Sequence, residues 1–292
     1  MDKKLKGTGV AIVTPFHENG NIDFNALTKL VNHIITGGVD YLVILGTTGE
    51  TAVLTKDEKL AVVNHVIEIT AKRVPLVLGL GGNNTQEIVN CMKIFDFENI
   101  DAILSVSPYY NKPIQEGIFR HYQMIAGAAP VPVILYNVPG RTGSNVTAET
   151  TLRLAEVPNI IGIKEASGNL EQAMQIINNR PKGFLVISGD DALTLPLMAC
   201  GGDGVISVVA NAFPKLFSDL VKHCIKGDFA AARKNHYKLL NFTQYLFAEG
   251  NPGGVKAALK ILGITQDFMR LPLYGVSDNM FKNIKNEVNK LK

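Results

Sequence analysis

Cysteine is scarce and poorly placed for a structural framework. The three cysteines, Cys91, Cys200 and Cys224, are far apart and odd in number, and no CxxC pair occurs. A disulfide scaffold is not expected, and a reducing cytoplasm suits the chain. Histidine is sparse too, with six residues scattered at 17, 33, 65, 121, 223 and 236. Without an HxH or HExxH spacing, no catalytic metal is expected. No apolar run is long enough to span a bilayer, and the opening MDKKLKGTGV lacks the apolar core of a signal peptide. Charged blocks are also missing. The net charge is +3 with no polybasic stretch, and the aromatics do not alternate with Arg or Lys. Neither a nucleic acid nor a membrane surface is expected as a partner. Three N-x-T triplets, at Asn83, Asn145 and Asn241, match a glycosylation pattern. With no export signal they read as chance or as turn and cap chemistry. The G-x-G-x-x-G fingerprint is absent: the first apolar run leads into TPFHENG, and GLGGNN at 79–84 has the wrong spacing. A dinucleotide site therefore has no support.

What the chain does have is a globular composition, 46% hydrophobic and 19% charged with mean hydropathy +0.13, over 292 residues. That is enough to bury a large core. Short runs rich in Val, Ile and Leu recur: GVAIV (9–13), YLVIL (41–45), PLVLGL (75–80), AILSV (102–106), VPVILY (131–136), IIGIK (160–164), FLVIS (184–188) and GVISVV (204–209). None alternates cleanly with polar residues, the mark of strands buried on both faces in a parallel sheet. Amphipathic helix patterns fill the gaps. Residues 23–37 place Leu27, Leu30, Val31, Ile34 and Ile35 on one stripe, and Thr55 with Glu58 forms a capping box for a helix to about residue 71. Further helices are expected over 85–95, 116–126, 147–155, 170–178, 192–199 and 214–223.

Eight strands alternating with helices predict a (β/α)8 TIM barrel over 1–224. Strand signals stop near residue 210, and helical patterns at 227–248, 252–263 and 278–290 predict a C-terminal three-helix extension over 225–292. In such barrels the active site lies at the C-terminal ends of the strands. Those ends offer Thr14, Thr47, Thr48, Tyr109, Tyr110, Tyr136, Lys164, Gly189, Asp190 and Ser207.

Lys164 closes the apolar run IIGIK. Taken alone it has two readings. It can snorkel to water or pair with Glu165. Alternatively, apolar surroundings disfavour the charged form, and a neutral amine attacks carbonyls to form a Schiff base. Tyr136 ends the preceding strand, where a phenol can carry protons to and from an imine, or merely sit at the rim. Arg141, on the following loop, suits a substrate carboxylate or a surface salt bridge. GTTGE (46–50) presents hydroxyls and N–H groups that can hold a carboxylate or relay a proton. In SPYYNKP (107–113), adjacent tyrosines point opposite ways, so one can face its own barrel and the other a neighbouring chain.

GTTGE, SPYYNKP, YNVPGRTG, GIKEASGN, SGDD and GVISV occur in this order. In this the chain resembles the dihydrodipicolinate synthase family, within the N-acetylneuraminate lyase superfamily of class I aldolases, over essentially its whole length. The resemblance implies that Lys164 carries a Schiff base with pyruvate and that Tyr136 is proton donor and acceptor. Thr47 and Tyr110 would complete a proton relay, Tyr110 reaching in from an adjacent subunit. Thr48 would hold the pyruvate carboxylate, Ile206 would contact pyruvate through its main chain, and Gly189 would line the pocket. Arg141 would bind the carboxylate of aspartate semialdehyde. Neuraminate lyases typically lack an arginine here, although sister aldolases with acidic substrates can keep one. The implied reaction is condensation of pyruvate with L-aspartate-4-semialdehyde on the diaminopimelate route to lysine, with no cofactor, in a homotetramer built as a dimer of dimers. The alternatives are a sister pyruvate-dependent aldolase such as N-acetylneuraminate lyase, and a non-catalytic anion-binding barrel.

One departure concerns regulation. Relatives inhibited by lysine bind it at a subunit interface with histidines shortly after GTTGE, where this chain has Lys56 and Lys59. Two ammonium groups would repel a cationic ligand. Asn83, Glu87 and Tyr109 do match the effector-binding positions, and the expectation is weak or absent lysine inhibition.

Overall fold

The computed structural model describes residues 4–292. Its strands are β1 (Gly7–Ala11), β2 (Tyr41–Ile44), β3 (Leu76–Gly79), β4 (Ala102–Val106), β5 (Val133–Asn137), β6 (Ile160–Glu165), β7 (Leu185–Ser188) and β8 (Gly204–Ser207). All neighbours are parallel, and β8 returns to β1 to close the barrel in sequence order. The connecting helices occupy the expected slots, and the Thr55–Glu58 capping box is formed in both directions. No helix among the described residues is long and apolar enough to cross a membrane.

Side-chain alternation sorts the core into layers. Val43, Val77, Leu104, Ile134, Ile187 and Ile206 form a buried cluster that draws on no helix, so these positions face the barrel interior. Their strand neighbours Leu42, Ile103, Leu135, Ile163 and Val186 pack with helix residues on the outside. The last three long helices, Phe229–Ala248, Gly253–Ile261 and Asp278–Leu291, contribute Phe242, Val255 and Ile284 to the same cluster as Val10, Leu42 and Val205. The C-terminal helices therefore share one core with the barrel wall.

Some details differ from the sequence expectation for physical reasons. The first strand spans Gly7–Ala11 rather than 9–13. Beyond it the buried Asn211 side chain replaces the ladder, donating to the Ala11 carbonyl at 2.9 Å and accepting from the Val13 N–H at 3.3 Å. The helix over Thr85–Met92 ends before residue 95, because the N–H groups of Lys93 and Ile94 bond three residues back and tighten the last turn. The YNVPGRTG loop contains a short helix, Pro139–Thr142, with proline at its first position.

Candidate active site

Lys164 lies opposite Tyr136 in the β5–β6 register. A bulge decides which way it points. Val133 pairs with Ile160 and Ile134 with Gly162, leaving Ile161 as an extra residue. In an unbroken strand Lys164 would share the face of Ile160, which packs against the helices. The bulge inverts the alternation: Ile163 takes the outer face and Lys164 turns into the barrel. Gly162 makes this possible, since a Cβ there would lie 2.7 Å from Leu185 Cβ and 2.8 Å from the Leu185 carbonyl oxygen.

Inside, Lys164 and Tyr136 are both buried, with Lys164 Nζ 4.2 Å from the centre of the Tyr136 ring. Glu165 points the opposite way. Its carboxylate accepts from Ser167 N–H at 2.7 Å, Gln172 Nε2 at 2.9 Å and Asn137 Nδ2 at 3.1 Å. Pairing of Lys164 with Glu165 is thus not what the fold adopts. Gly189 leaves room for the lysine stem: a Cβ there would lie 3.0 Å from Lys164 Cε and 3.1 Å from its Cγ.

Thr47 and Thr48 sit in a 3-10 turn, Thr47–Gly49, just after β2. Thr48 is buried, and its hydroxyl accepts from Asn251 Nδ2 at 2.9 Å. A hydroxyl that accepts from one side keeps its proton for another acceptor. Ile206 lies on β8, buried in the interior cluster.

Arg141 is exposed on the Pro139–Thr142 helix, and its guanidinium has no ion-pair or hydrogen-bond partner among the described residues. The loop behind it is pinned. Asn137 accepts from Val146 N–H at 3.0 Å and donates to Asn145 Oδ1 at 2.8 Å, and Asn145 donates to Gln172 Oε1 at 2.7 Å. The carboxylate of Glu165 and the loop carrying Arg141 therefore share one amide network.

Not every predicted residue joins this group. Tyr110 is 83% exposed with φ +74°, so it does not face its own barrel, and Tyr109 is 41% exposed. Asn83 and Glu87 are exposed around the start of the Thr85–Met92 helix, with Lys56 exposed and Lys59 half-buried on the helix Lys56–Thr70. Three of the strand-end polar groups have structural duties instead. Thr14 donates to the Gly49 carbonyl at 2.7 Å, Asp190 accepts from Ala192 N–H at 2.9 Å, and Ser207 donates to Asp191.

Sequence reasoning overlooked Asn251, Asp191 and the amides around Glu165. Asp191 is buried and accepts from Val208 N–H at 3.0 Å, fastening the turn after β8. Burial pushes its carboxyl up to about 6, against the hydrogen bonds that favour the anion. Asn251 reaches Thr48 across 203 residues of chain, and no local pattern announces such a contact.

The sequence profile of the Dihydrodipicolinate synthetase family matches residues 4–291. The chain is 52% identical to the 4-hydroxy-tetrahydrodipicolinate synthase of Flavobacterium psychrophilum, over 94% of each chain. It is 50% identical to the enzyme of that name from Parabacteroides distasonis, over 99% of this chain and 98% of the other. Among solved structures, the chloride-inhibited dihydrodipicolinate synthase of Acinetobacter baumannii complexed with pyruvate superimposes with a TM-score of 0.95. It is 40% identical, with 98% of each chain covered.

Proposed function

Because the chain belongs to the dihydrodipicolinate synthetase family, we propose that it condenses pyruvate with L-aspartate-4-semialdehyde to 4-hydroxy-tetrahydrodipicolinate. It is a lyase of the class I aldolase type in lysine and diaminopimelate biosynthesis. The observation that carries the reading is the Lys164–Tyr136 pair, buried inside the barrel wall with the amine 4.2 Å from the phenol ring.

The Lys164 amine attacks C2 of pyruvate and, with loss of water, forms an imine. Tyr136 moves protons at this centre, and loss of a C3 proton gives the enamine. The enamine carbon adds to the aldehyde of the semialdehyde, whose oxygen takes a proton to become the hydroxyl. The substrate amine then attacks the imine carbon and expels Lys164, closing the ring and restoring the free amine. Thr48 holds the pyruvate carboxylate, Ile206 meets pyruvate through its main chain and Gly189 lines the pocket. Thr47 and Tyr110 relay protons to Tyr136. Arg141, whose guanidinium has no partner among the described residues, receives the semialdehyde carboxylate.

The outward Tyr110, 83% exposed, supports a site completed by a second copy, in a homotetramer built as a dimer of dimers. The enzyme works in the cytoplasm without a cofactor. Domain organisation follows the same reading, with the barrel over 1–224 and the helical region over 225–292.

The test is pyruvate consumption with aspartate semialdehyde or N-acetylmannosamine as acceptor, in wild type and Lys164→Ala. Consumption with the semialdehyde alone, abolished in the variant, is expected. Consumption with the sugar alone would overturn the role of Arg141. No consumption with either, and no adduct after borohydride reduction with pyruvate, would overturn the Schiff base itself.

A further inference from the structure

Lys256, on the helix Gly253–Ile261, has no exposed surface, and its ammonium forms an ion pair with the equally buried Glu50. It also donates to the Phe268 carbonyl at 2.8 Å and lies 4.3 Å from the centre of the Phe16 ring. Burial lowers it to about 8, with Glu50 acting in the opposite sense. Glu50 is the last residue of GTTGE. It has left-handed backbone angles, φ 54° and ψ 33°, which a non-glycine residue adopts only when its surroundings impose them. Its N–H donates to the Thr47 carbonyl at 3.1 Å, and its second carboxylate oxygen accepts from Arg270 N–H at 3.2 Å. Arg270 is itself locked, donating to the carbonyls of Gly20 at 2.7 Å and Val53 at 3.0 Å and to Glu58 at 2.7 Å.

A buried ion pair adds little stability over an apolar pair of the same volume, so stability alone does not account for this one. What it supplies is direction: it reaches from the C-terminal helices to the turn that holds Thr47 and Thr48. Asn251, two residues before the same helix, meets Thr48 directly. We propose that the Glu50–Lys256 pair positions the turn that receives the pyruvate carboxylate, so that the C-terminal helical region is a working part of the active site. Lys256 and Glu50 are positioning residues in this scheme and touch no substrate. The inference rests on the assignment of Thr48 to the pyruvate carboxylate.

The test compares full-length Lys256→Met, the double variant Lys256→Met/Glu50→Gln, and Thr48→Val. The double variant removes the unpaired buried charge that can keep the single variant from folding. The readouts are the pyruvate concentration for half-maximal inactivation by borohydride, the KM for the semialdehyde, and the thermal midpoint. In the double variant the pyruvate requirement is expected to rise roughly tenfold, with the semialdehyde KM within about twofold of wild type, as for a misplaced binding group. An unchanged pyruvate requirement there, with Thr48→Val impaired, overturns the proposal and leaves the Thr48 assignment standing. An unchanged requirement in Thr48→Val overturns that assignment and the proposal with it. A parallel rise for both substrates with a lowered midpoint makes the pair a general structural element and also overturns it.

Discussion

Gly189→Ala adds one methyl group where β7 passes the Lys164 stem. The new Cβ would lie 2.5 Å from Ala166 Cβ, 3.0 Å from Lys164 Cε and 3.1 Å from Lys164 Cγ. Carbon atoms in comfortable contact sit about 3.5–4.0 Å apart, so neighbours must yield by up to about 1 Å. Overpacking of this kind costs about 1–3 kcal/mol, and each kcal/mol lowers the thermal midpoint by about 2–4 °C in larger domains. The functional loss should exceed the structural one. A 1 Å misplacement of a reacting group costs about 100-fold in rate. The two contacts on Lys164, at 3.0 and 3.1 Å, ask its stem to give by a few tenths of an ångström. A loss of trapping rate on the order of tenfold is therefore expected. The assay is the rate of borohydride trapping with saturating pyruvate, beside kcat and the thermal midpoint. Adding Ala166→Gly relieves the 2.5 Å contact but neither lysine contact. The double variant is therefore expected to regain stability without regaining the trapping rate. A folded Gly189→Ala protein that traps pyruvate within about twofold of wild type would refute the reasoning, because Lys164 would then have room for the added methyl group.

Asp191 makes stability depend on pH. Its folded pKa, about 6, lies above the ordinary 3.8. Between these values the native state keeps a proton that the unfolded chain has lost, so this contribution is complete below about pH 4 and disappears as pH rises through 6. The difference is about 3 kcal/mol. Asp191→Asn should remove that slope. Denaturant unfolding at pH 4.5 and 7 checks this, and an equal stability difference between variant and wild type at both pH values would contradict it. Arg141→Ala is expected to raise the semialdehyde KM about tenfold or more, as for loss of a charge-assisted contact, while leaving pyruvate trapping intact. An equal defect in trapping would count against its role. Lysine should inhibit weakly or not at all, because the family resemblance implies an effector site at Lys56 and Lys59, where two ammonium groups would repel a cation. Half-inhibition at sub-millimolar lysine would sink this.

Some of this molecule is written locally. Eight doubly buried apolar runs with helical patterns between them call for a parallel sheet covered on both faces, and their number suits a (β/α)8 barrel. An open doubly wound sheet has the same local pattern, and closure shows only in the fold. Thr55 and Glu58 announce their capping box within four residues. The barrel rule then places Tyr136 and Lys164 at one mouth. Motif resemblance supplied their roles, which spacing alone left open. The tertiary structure decided the rest. It decided that Lys164 faces inward, since that depends on one extra residue at Ile161 and on how closely Gly162 approaches Leu185. It also decided that Glu165 belongs to an amide network, and that Thr14, Asp190 and Ser207 are structural rather than free. The ties from Asn251 to Thr48 and from Lys256 to Glu50 came from the same source. Periodicity reports which face of an element is apolar. It carries nothing about which distant polar group will close a hydrogen bond there, because that is settled only when burial removes water and each remaining polar atom must find a partner in the folded chain.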